Sequence, residues 1–186
     1  MEFFAIYDQY HGRVRKFIAA SVRDEWAADD LTQETFIRVQ KHLDDLRGPS
    51  KIASRLFRIA HNLCLDHFRE LKRTSAKECE LSEAKDLFKE AIVQKKLEQG
   101  EMSACVRDVV KTLPESYRDV IMLFDIAELS HREIAETLDT TIENVKVRLH
   151  RARKELRVLL EQKCTFTVDE RNVLVCEPLV QIQSGK

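Results

Sequence analysis

Apolar residues at Phe3, Ile6, Tyr7, Tyr10, Val14, Phe17 and Ile18 recur every three or four positions, which predicts a first amphipathic helix over about residues 3–18. A second helix is expected from about Ala27 to Leu46. It carries Leu31, Thr35, Val39 and Leu43 on one stripe and Asp30, Gln33, Glu34 and Ile37 on another. Gly48-Pro49-Ser50 should end it, because these residues abandon helical geometry or lack an amide donor. The third helix is expected from about Lys51 to Arg73. Its apolar stripe is Ile52, Leu56, Ile59, Ala60, Leu63, Cys64, Phe68 and Leu71, and its opposite face is Lys51, Arg55, Arg58, Asn62, Asp66, Arg69 and Arg73. Three such helices can bury one shared core.

Periodicity weakens over residues 74–103, where a Gln99-Gly100-Glu101 break marks a helical but loosely tethered linker. A second unit is expected from about Ala104. Leu113-Pro114-Glu115 reads as a helix start with proline in the first turn, where its missing amide costs nothing, followed by a buried face of Tyr117, Val120, Ile121 and Phe124. Ser130 stands three residues before Glu133, so each side chain can satisfy the other's end of a helix. The same logic is expected to repeat at Thr140 and Glu143. Two capped helices across a short turn read as a helix-turn-helix, the first burying Ile134, Ala135 and Leu138, the second Ile142, Val145, Leu149, Ala152, Leu156 and Leu159. The only strand signal lies between Cys164 and Cys176, where β-branched and aromatic residues flank a polar Asp169 to Asn172 turn.

Composition agrees with a mostly helical protein. Four glycines and three prolines leave little turn material for an all-β fold, and 44% hydrophobic residues suffice for a core. The longest apolar run, Val120 to Phe124, falls far short of the roughly 20 residues that span a bilayer. The first residues show no basic segment followed by an apolar stretch, so neither export nor membrane insertion is expected. Five cysteines without dense spacing suit a reducing, cytoplasmic setting.

A net charge of -1 argues against a simple polycation, but the total hides the distribution. Residues 24–45 hold 7 acidic and 2 basic side chains, and residues 51–73 hold 6 basic and 2 acidic. Residues 115–143 hold 8 acidic and 2 basic, and residues 146–157 hold 6 basic against Glu155 alone. Each half therefore pairs an acidic portion with a basic helix. The last of these, carrying Lys146, Arg148, His150, Arg151, Arg153, Lys154 and Arg157, follows a capped helix and a tight turn, as a recognition helix entering the major groove does. A charged helix face is more often simply solvated, and for the third helix alone that reading is the stronger.

Together these segments resemble the extracytoplasmic-function group of the sigma-70 family, which keeps two domains, region 2 and region 4. Region 2 is matched by Asp30-Leu-Thr-Gln-Glu-Thr-Phe-Ile-Arg38 and by Leu56-Phe-Arg-Ile-Ala-His-Asn-Leu-Cys-Leu-Asp-His-Phe-Arg69. Region 4 is matched by Leu113-Pro-Glu-Ser-Tyr-Arg118, by Glu133-Ile-Ala-Glu136 and by Asn144-Val-Lys-Val-Arg-Leu-His-Arg-Ala-Arg153. The resemblance implies an all-α protein of two small helical domains: a three-helix region 2 over 1–73, a linker over 74–103 and a region 4 helix-turn-helix over 104–163. A tail with a short β-hairpin follows over 164–186.

It further implies a subunit that binds core RNA polymerase through its β′ and β subunits and carries it to promoter DNA, with no cofactor and no catalysis of its own. Asp30, Gln33 and Glu34 then dock on the β′ clamp helices. Arg58, Asn62, Asp66, Arg69 and Arg73, with Lys72, serve opening of the minus 10 element. An asparagine amide can donate to and accept from an unpaired base, and arginines can follow the backbone. Lys146, Val147, Arg148, His150 and Arg151 fall where the minus 35 element is read; Arg151 could bond guanine bidentately, while Arg148 and Arg153 suit phosphate contact or core packing. Many members of the family are held inactive by an anti-sigma factor, and such a partner is expected here. Three positions depart from the pattern: Arg55 where tryptophan is frequent, Asp139 where glycine is usual in the turn, and Val147 where serine is common. Aspartate tolerates left-handed geometry better than most residues, and Val147 favours a thymine methyl.

His61 and Cys64 lie one helical turn apart, but Cys64 falls on the apolar stripe and reads as a buried thiol rather than a zinc ligand. Cys164 and Cys176 are equidistant from Glu170 and are expected to face one another across the hairpin. They form either a redox-sensitive disulfide, half a metal site, or two thiols in an apolar patch with Phe166, Val173 and Val175. Two other functions compete with the family reading: a stand-alone helix-turn-helix regulator with a sensing N-terminal half, and an enzyme. No glycine-rich phosphate loop, nucleophile elbow or full metal-ligand set supports the latter.

Overall fold

A computed structural model describes residues 3–22, 24–43, 51–78, 104–168 and 174–178. The expected break at Gly48-Pro49-Ser50, and all of the linker from residue 79 to 103 with its break at Gln99 to Glu101, lie outside the described residues. The helices are α1 (Phe3–Val22), α2 (Glu25–Lys41), α3 (Ile52–Glu78), α4 (Ala104–Thr112), α5 (Glu115–Ile121), α6 (His131–Thr137) and α7 (Ile142–Lys163). A hairpin of β1 (Cys164–Val168) and β2 (Leu174–Pro178) follows. The all-α expectation holds, with this hairpin as the one strand element among the described residues. The chain forms two compact units, one of residues 1–95 with 122–145, the other of residues 96–121 with 146–186.

In the first unit α1, α2 and α3 pack pairwise. Their core is Ile6, Val14, Phe17 and Ile18 of α1, Ala28, Phe36 and Val39 of α2, and Leu56, Phe57, Ala60, Leu63 and Cys64 of α3. Phe17 meets Phe57 edge to face at 5.7 Å between centroids. Phe57, absent from the stripe drawn on the sequence, is completely buried, whereas Leu71 and Tyr7, which the stripes place inside, are exposed. Helix α2 starts earlier than expected because Asp24 caps it, its carboxylate accepting from the Ala27 amide at 3.0 Å. Thr32 and Thr35 enter the core at no cost in orphaned polar groups, since their hydroxyls donate to the Ala28 and Leu31 carbonyls at 2.6 and 2.7 Å. Arg15 binds Asp29 at 2.7 Å and Glu25 at 2.8 Å, tying α1 to α2.

The same unit takes in residues 122–145. A π-helical stretch, Met122–Ile126, packs on α1, and α6 packs on α3. Between them the Ala127 and Leu129 amides reach back to the Met122 and Leu123 carbonyls, each at 3.0 Å, and Glu128 takes φ 55°. Neither the π-stretch nor this left-handed glutamate has a local sequence signal. Helix α6 begins with the expected capping box: the Glu133 amide donates to the Ser130 hydroxyl, and the Ser130 amide donates to the Glu133 carboxylate at 2.8 Å. Thr137 is buried at its end, while Leu138, expected inside, is only half-buried.

The second unit contains α4, α5, the body of α7 and the hairpin, with Val109, Val110, Leu113, Val120, Ile121, Leu149 and Ala152 buried. Pro114 stands one step before α5 rather than inside its first turn, its carbonyl accepting from the Tyr117 and Arg118 amides at 2.9 and 3.0 Å. The hairpin register corrects one expectation. Cys164 pairs with Pro178 and Cys176 with Phe166, so the two cysteines are two residues out of register. The strands pair symmetrically about position 171 rather than about Glu170.

Candidate polymerase and promoter interfaces

Three helix faces carry the candidate residues. On α2, Asp30 and Gln33 are exposed and Glu34 is half-buried, with Ile37 continuing the stripe one turn on. Glu34 holds Arg38 at 2.7 Å. The opposite side of α2, Ala28, Thr32, Phe36 and Val39, is buried, so core packing fixes which way the acidic face points.

From Lys51, just before α3, the exposed stripe runs on through Arg58, Asn62, Asp66, Arg69 and Arg73. Asp66 binds Arg69 at 2.8 Å and Glu70 binds Arg73 at 3.1 Å. These exposed pairs are worth about 0–1 kcal/mol each, so a phosphate can displace them cheaply. Arg58 differs. Its guanidinium donates to the Thr137 carbonyl at 3.2 Å and to that of Glu136, at the C-terminal end of α6. Beside it the Ser54 hydroxyl donates to the Glu136 carboxylate at 2.8 Å, and Thr137 donates to the Ser54 carbonyl at 3.2 Å. The Ser54 hydrogen bond, helped by Arg132 and Lys51, holds the Glu136 carboxyl below the usual range against a smaller opposing effect of burial.

The helix-turn-helix is built by local chemistry. Asp139 adopts φ 52°, the left-handed turn expected of it. The cap of α7 is Thr141 rather than Thr140: the Asn144 amide donates to the Thr141 hydroxyl at 3.1 Å, and the Thr140 hydroxyl accepts from the Asn144 side chain at 2.8 Å. The expected Thr140–Glu143 box is therefore replaced by a threonine cap one residue later. On α7, Lys146, Val147, His150 and Arg151 are exposed, Arg148 is half-buried, and Val145, Leu149 and Ala152 are buried. Four candidate readers thus share the outer face, and Arg148 stands at its edge.

Cys64 is a buried free thiol, with burial pushing its pKa up to about 12 against a weaker opposing contact with Ser21. His11 stacks on Tyr7 and His131 on Phe124, with centroids 4.7 and 5.1 Å apart. Among the described residues no three His, Cys, Asp or Glu side chains converge as metal ligands, and no helix is long and apolar enough to cross a membrane.

A family model for sigma-70 region 2 matches residues 6–74, and one for sigma-70 region 4 matches residues 103–156. RNA polymerase sigma factor SigZ of Bacillus subtilis is 33% identical over 91% of this chain and 93% of its own length. The chain belongs to the sigma-70 family, in its extracytoplasmic-function group. SigM, an ECF RNA polymerase sigma factor of the same organism, is 32% identical over 83% of this chain and 92% of its own. The fold is also that of the sigma factor RpoE of Bartonella quintana, solved in complex with the anti-sigma factor NepR. That match has a TM-score of 0.66 and 22% identity, covering 86% of this chain and 96% of the other. The protein is accordingly an RNA polymerase sigma factor, and its role is promoter-specific transcription initiation.

Proposed function

We propose that residues 1–73 dock this sigma factor on core polymerase and open the minus 10 element, that residues 104–163 read the minus 35 element, and that residues 74–103 span the interval between them. The observation that carries the assignment is the outer face of α7, where Lys146, Val147, His150 and Arg151 are exposed together while Val145, Leu149 and Ala152 are buried. Such a face can enter the major groove without disturbing the core. Asp30, Gln33 and Glu34 give α2 an acidic surface suited to a protein partner, since phosphates would be repelled by it. Asn62 offers a donor and an acceptor to an unpaired base, and Arg69 and Arg73 exchange their weak surface pairs for backbone phosphates. The chemistry of RNA synthesis belongs to the polymerase; this chain binds and distorts, acts in the cytoplasm, and is held in check by an anti-sigma factor.

Competition for core polymerase tests the docking half. A fluorescently labelled sigma factor should bind the purified core, and Asp30→Lys with Glu34→Lys should weaken that binding at least tenfold without altering the helical circular dichroism. Undiminished binding by this variant would remove α2 from the interface.

A further inference from the structure

Helix α2 buries Ala28, Thr32, Phe36 and Val39. At about 100° per residue, the side opposite them carries Trp26, Asp30, Gln33 and Ile37, which fall within about 60° of one another and form the crest of the helix. Both flanks of that crest are closed by ion pairs. Toward α1, Arg15 holds Glu25 at 2.8 Å and Asp29 at 2.7 Å. Arg13, two residues earlier and so on another side of α1, donates instead to the Ala127 and Glu128 carbonyls. On the far flank Glu34 holds Arg38 at 2.7 Å. Asp30, on the crest, has no such partner among the described residues. At the head of the crest stands the chain's sole tryptophan. Trp26 is 85% exposed, more than any other large apolar side chain among the described residues, and Ile37 at the other end is 37% exposed. An aromatic side chain of this kind can bury about 150–250 Å², and here most of that is left in water. Its place is nonetheless fixed. Asp24 caps the helix two residues before it, Ala28 two residues after it is wholly buried, and Arg15 grips Glu25 and Asp29 on either side. The indole cannot turn into the core without unwinding the first turn of α2.

We propose that Trp26 anchors this sigma factor to core RNA polymerase, its indole entering an apolar recess beside a basic group that receives Asp30. The proposal rests on the assignment of α2 to polymerase docking. Continuity selects the occupant: Trp26 stands one helical turn from Asp30 on the same crest, so a surface that meets Asp30 and Gln33 also covers the indole. Charge selects it too. The flanking carboxylates are already paired, and the crest offers one carboxylate between two apolar side chains, which asks for a cation with apolar ground at either end. Because the ring is held in place before the partner arrives, little ordering is lost on binding. Tryptophan is among the residues that most often dominate the energy of an interface. Work is then divided along the crest: exposed charges steer association and make it salt-dependent, whereas the buried ring slows dissociation.

Two measurements on the full chain with purified core polymerase test this. In the first, Trp26→Ala should bind core about thirtyfold more weakly, through faster dissociation and equally at low and high salt, while Trp26→Phe keeps most of the affinity. The loss caused by Asp30→Lys with Glu34→Lys should instead vary with salt. In the second, 5-hydroxytryptophan replaces the single tryptophan of the otherwise unaltered chain and is excited where the tryptophans of the polymerase do not absorb. Its emission should move to shorter wavelength, and its quenching by acrylamide should fall, when core is added. This readout needs no truncated side chain, so it decides the matter even if Trp26→Ala disturbs the helix. Full affinity of Trp26→Ala, with an indole still open to acrylamide in the complex, overturns the anchor. If the Asp30 and Glu34 variant is weakened in that case, α2 docks without Trp26 and only this inference falls; if that variant also binds fully, the docking assignment falls with it. An indole that becomes shielded in the free protein as its concentration rises also overturns the proposal, since a second copy of the chain would then be the occupant.

Discussion

Arg151 is exposed on the outer face of α7, one residue before the buried Ala152, and truncating it removes a donor fork without opening a cavity. Arg151→Ala should therefore change folding stability by no more than about 0.5 kcal/mol. A bidentate arginine–guanine contact is worth about 1–3 kcal/mol of discrimination, so the variant holoenzyme should lose about 5- to 150-fold in affinity for its promoter. Lys146 stands on the same face as a point charge. Lys146→Ala should weaken promoter and scrambled DNA alike, and should lower the slope of log affinity against log salt by about 0.9, one released counterion. Fluorescence anisotropy of holoenzyme on labelled duplexes, with the minus 35 element intact or scrambled and at several salt concentrations, measures both effects. If Arg151→Ala loses affinity equally on both duplexes, and lowers the salt slope as Lys146→Ala does, Arg151 is a phosphate contact and the assignment of base reading to it is wrong.

Three other outcomes are expected. Asn62→Ala should bind core polymerase normally but open promoters poorly, and a template already melted at minus 10 should restore transcription; no rescue would contradict its role at an unpaired base. Ser130→Ala breaks the capping box of α6 and should cost about 1 kcal/mol in urea denaturation. For Cys64, burial raises the thiol pKa from 9.0 to about 12. The folded protein then keeps a proton that the unfolded chain loses, so this residue's contribution to stability is intact below pH 9 and declines as pH rises toward 12. The decline reaches about 1.4 kcal/mol per pH unit at most, and Cys64→Ala should flatten it in denaturation curves taken across that window.

Much of this was legible in the sequence because the governing interactions are local. The three- and four-residue spacing of α1 and α3, the Ser130–Glu133 box and the left-handed Asp139 each depend on neighbours within a turn of chain. Where a neighbour offered a better partner, the reading slipped by a residue: Thr141 caps α7 in place of Thr140, and the hairpin register leaves Cys164 and Cys176 diagonal to one another. Phe57 escaped because it lies beside the stripe rather than on it, and only a partner helix, through Phe17, makes that position interior. Arg13, Ser54, Glu136 and Glu128 were invisible for a stronger reason. Their partners lie from 78 to 115 residues away in sequence, and no local pattern distinguishes a clamp arginine from a solvated one.

The charge distribution shows what the structure adds. A net charge of -1 divided into acidic and basic segments suits a protein that must hold a polymerase and a promoter at once. The contacts of Glu136 with Ser54, and of Arg58 with the end of α6, show part of the acidic segment meeting the basic helix within one unit. Near-neutrality is thus partly an internal pairing of opposite surfaces.

Run-off transcription tests the central claim most directly. Purified core polymerase with this protein, on sheared genomic DNA followed by mapping of transcript ends, should yield a small set of new start sites sharing minus 10 and minus 35 elements, all lost with Asn62→Ala. Start sites identical to those of core polymerase alone, from a protein that nonetheless binds duplex DNA tightly by itself, would contradict it.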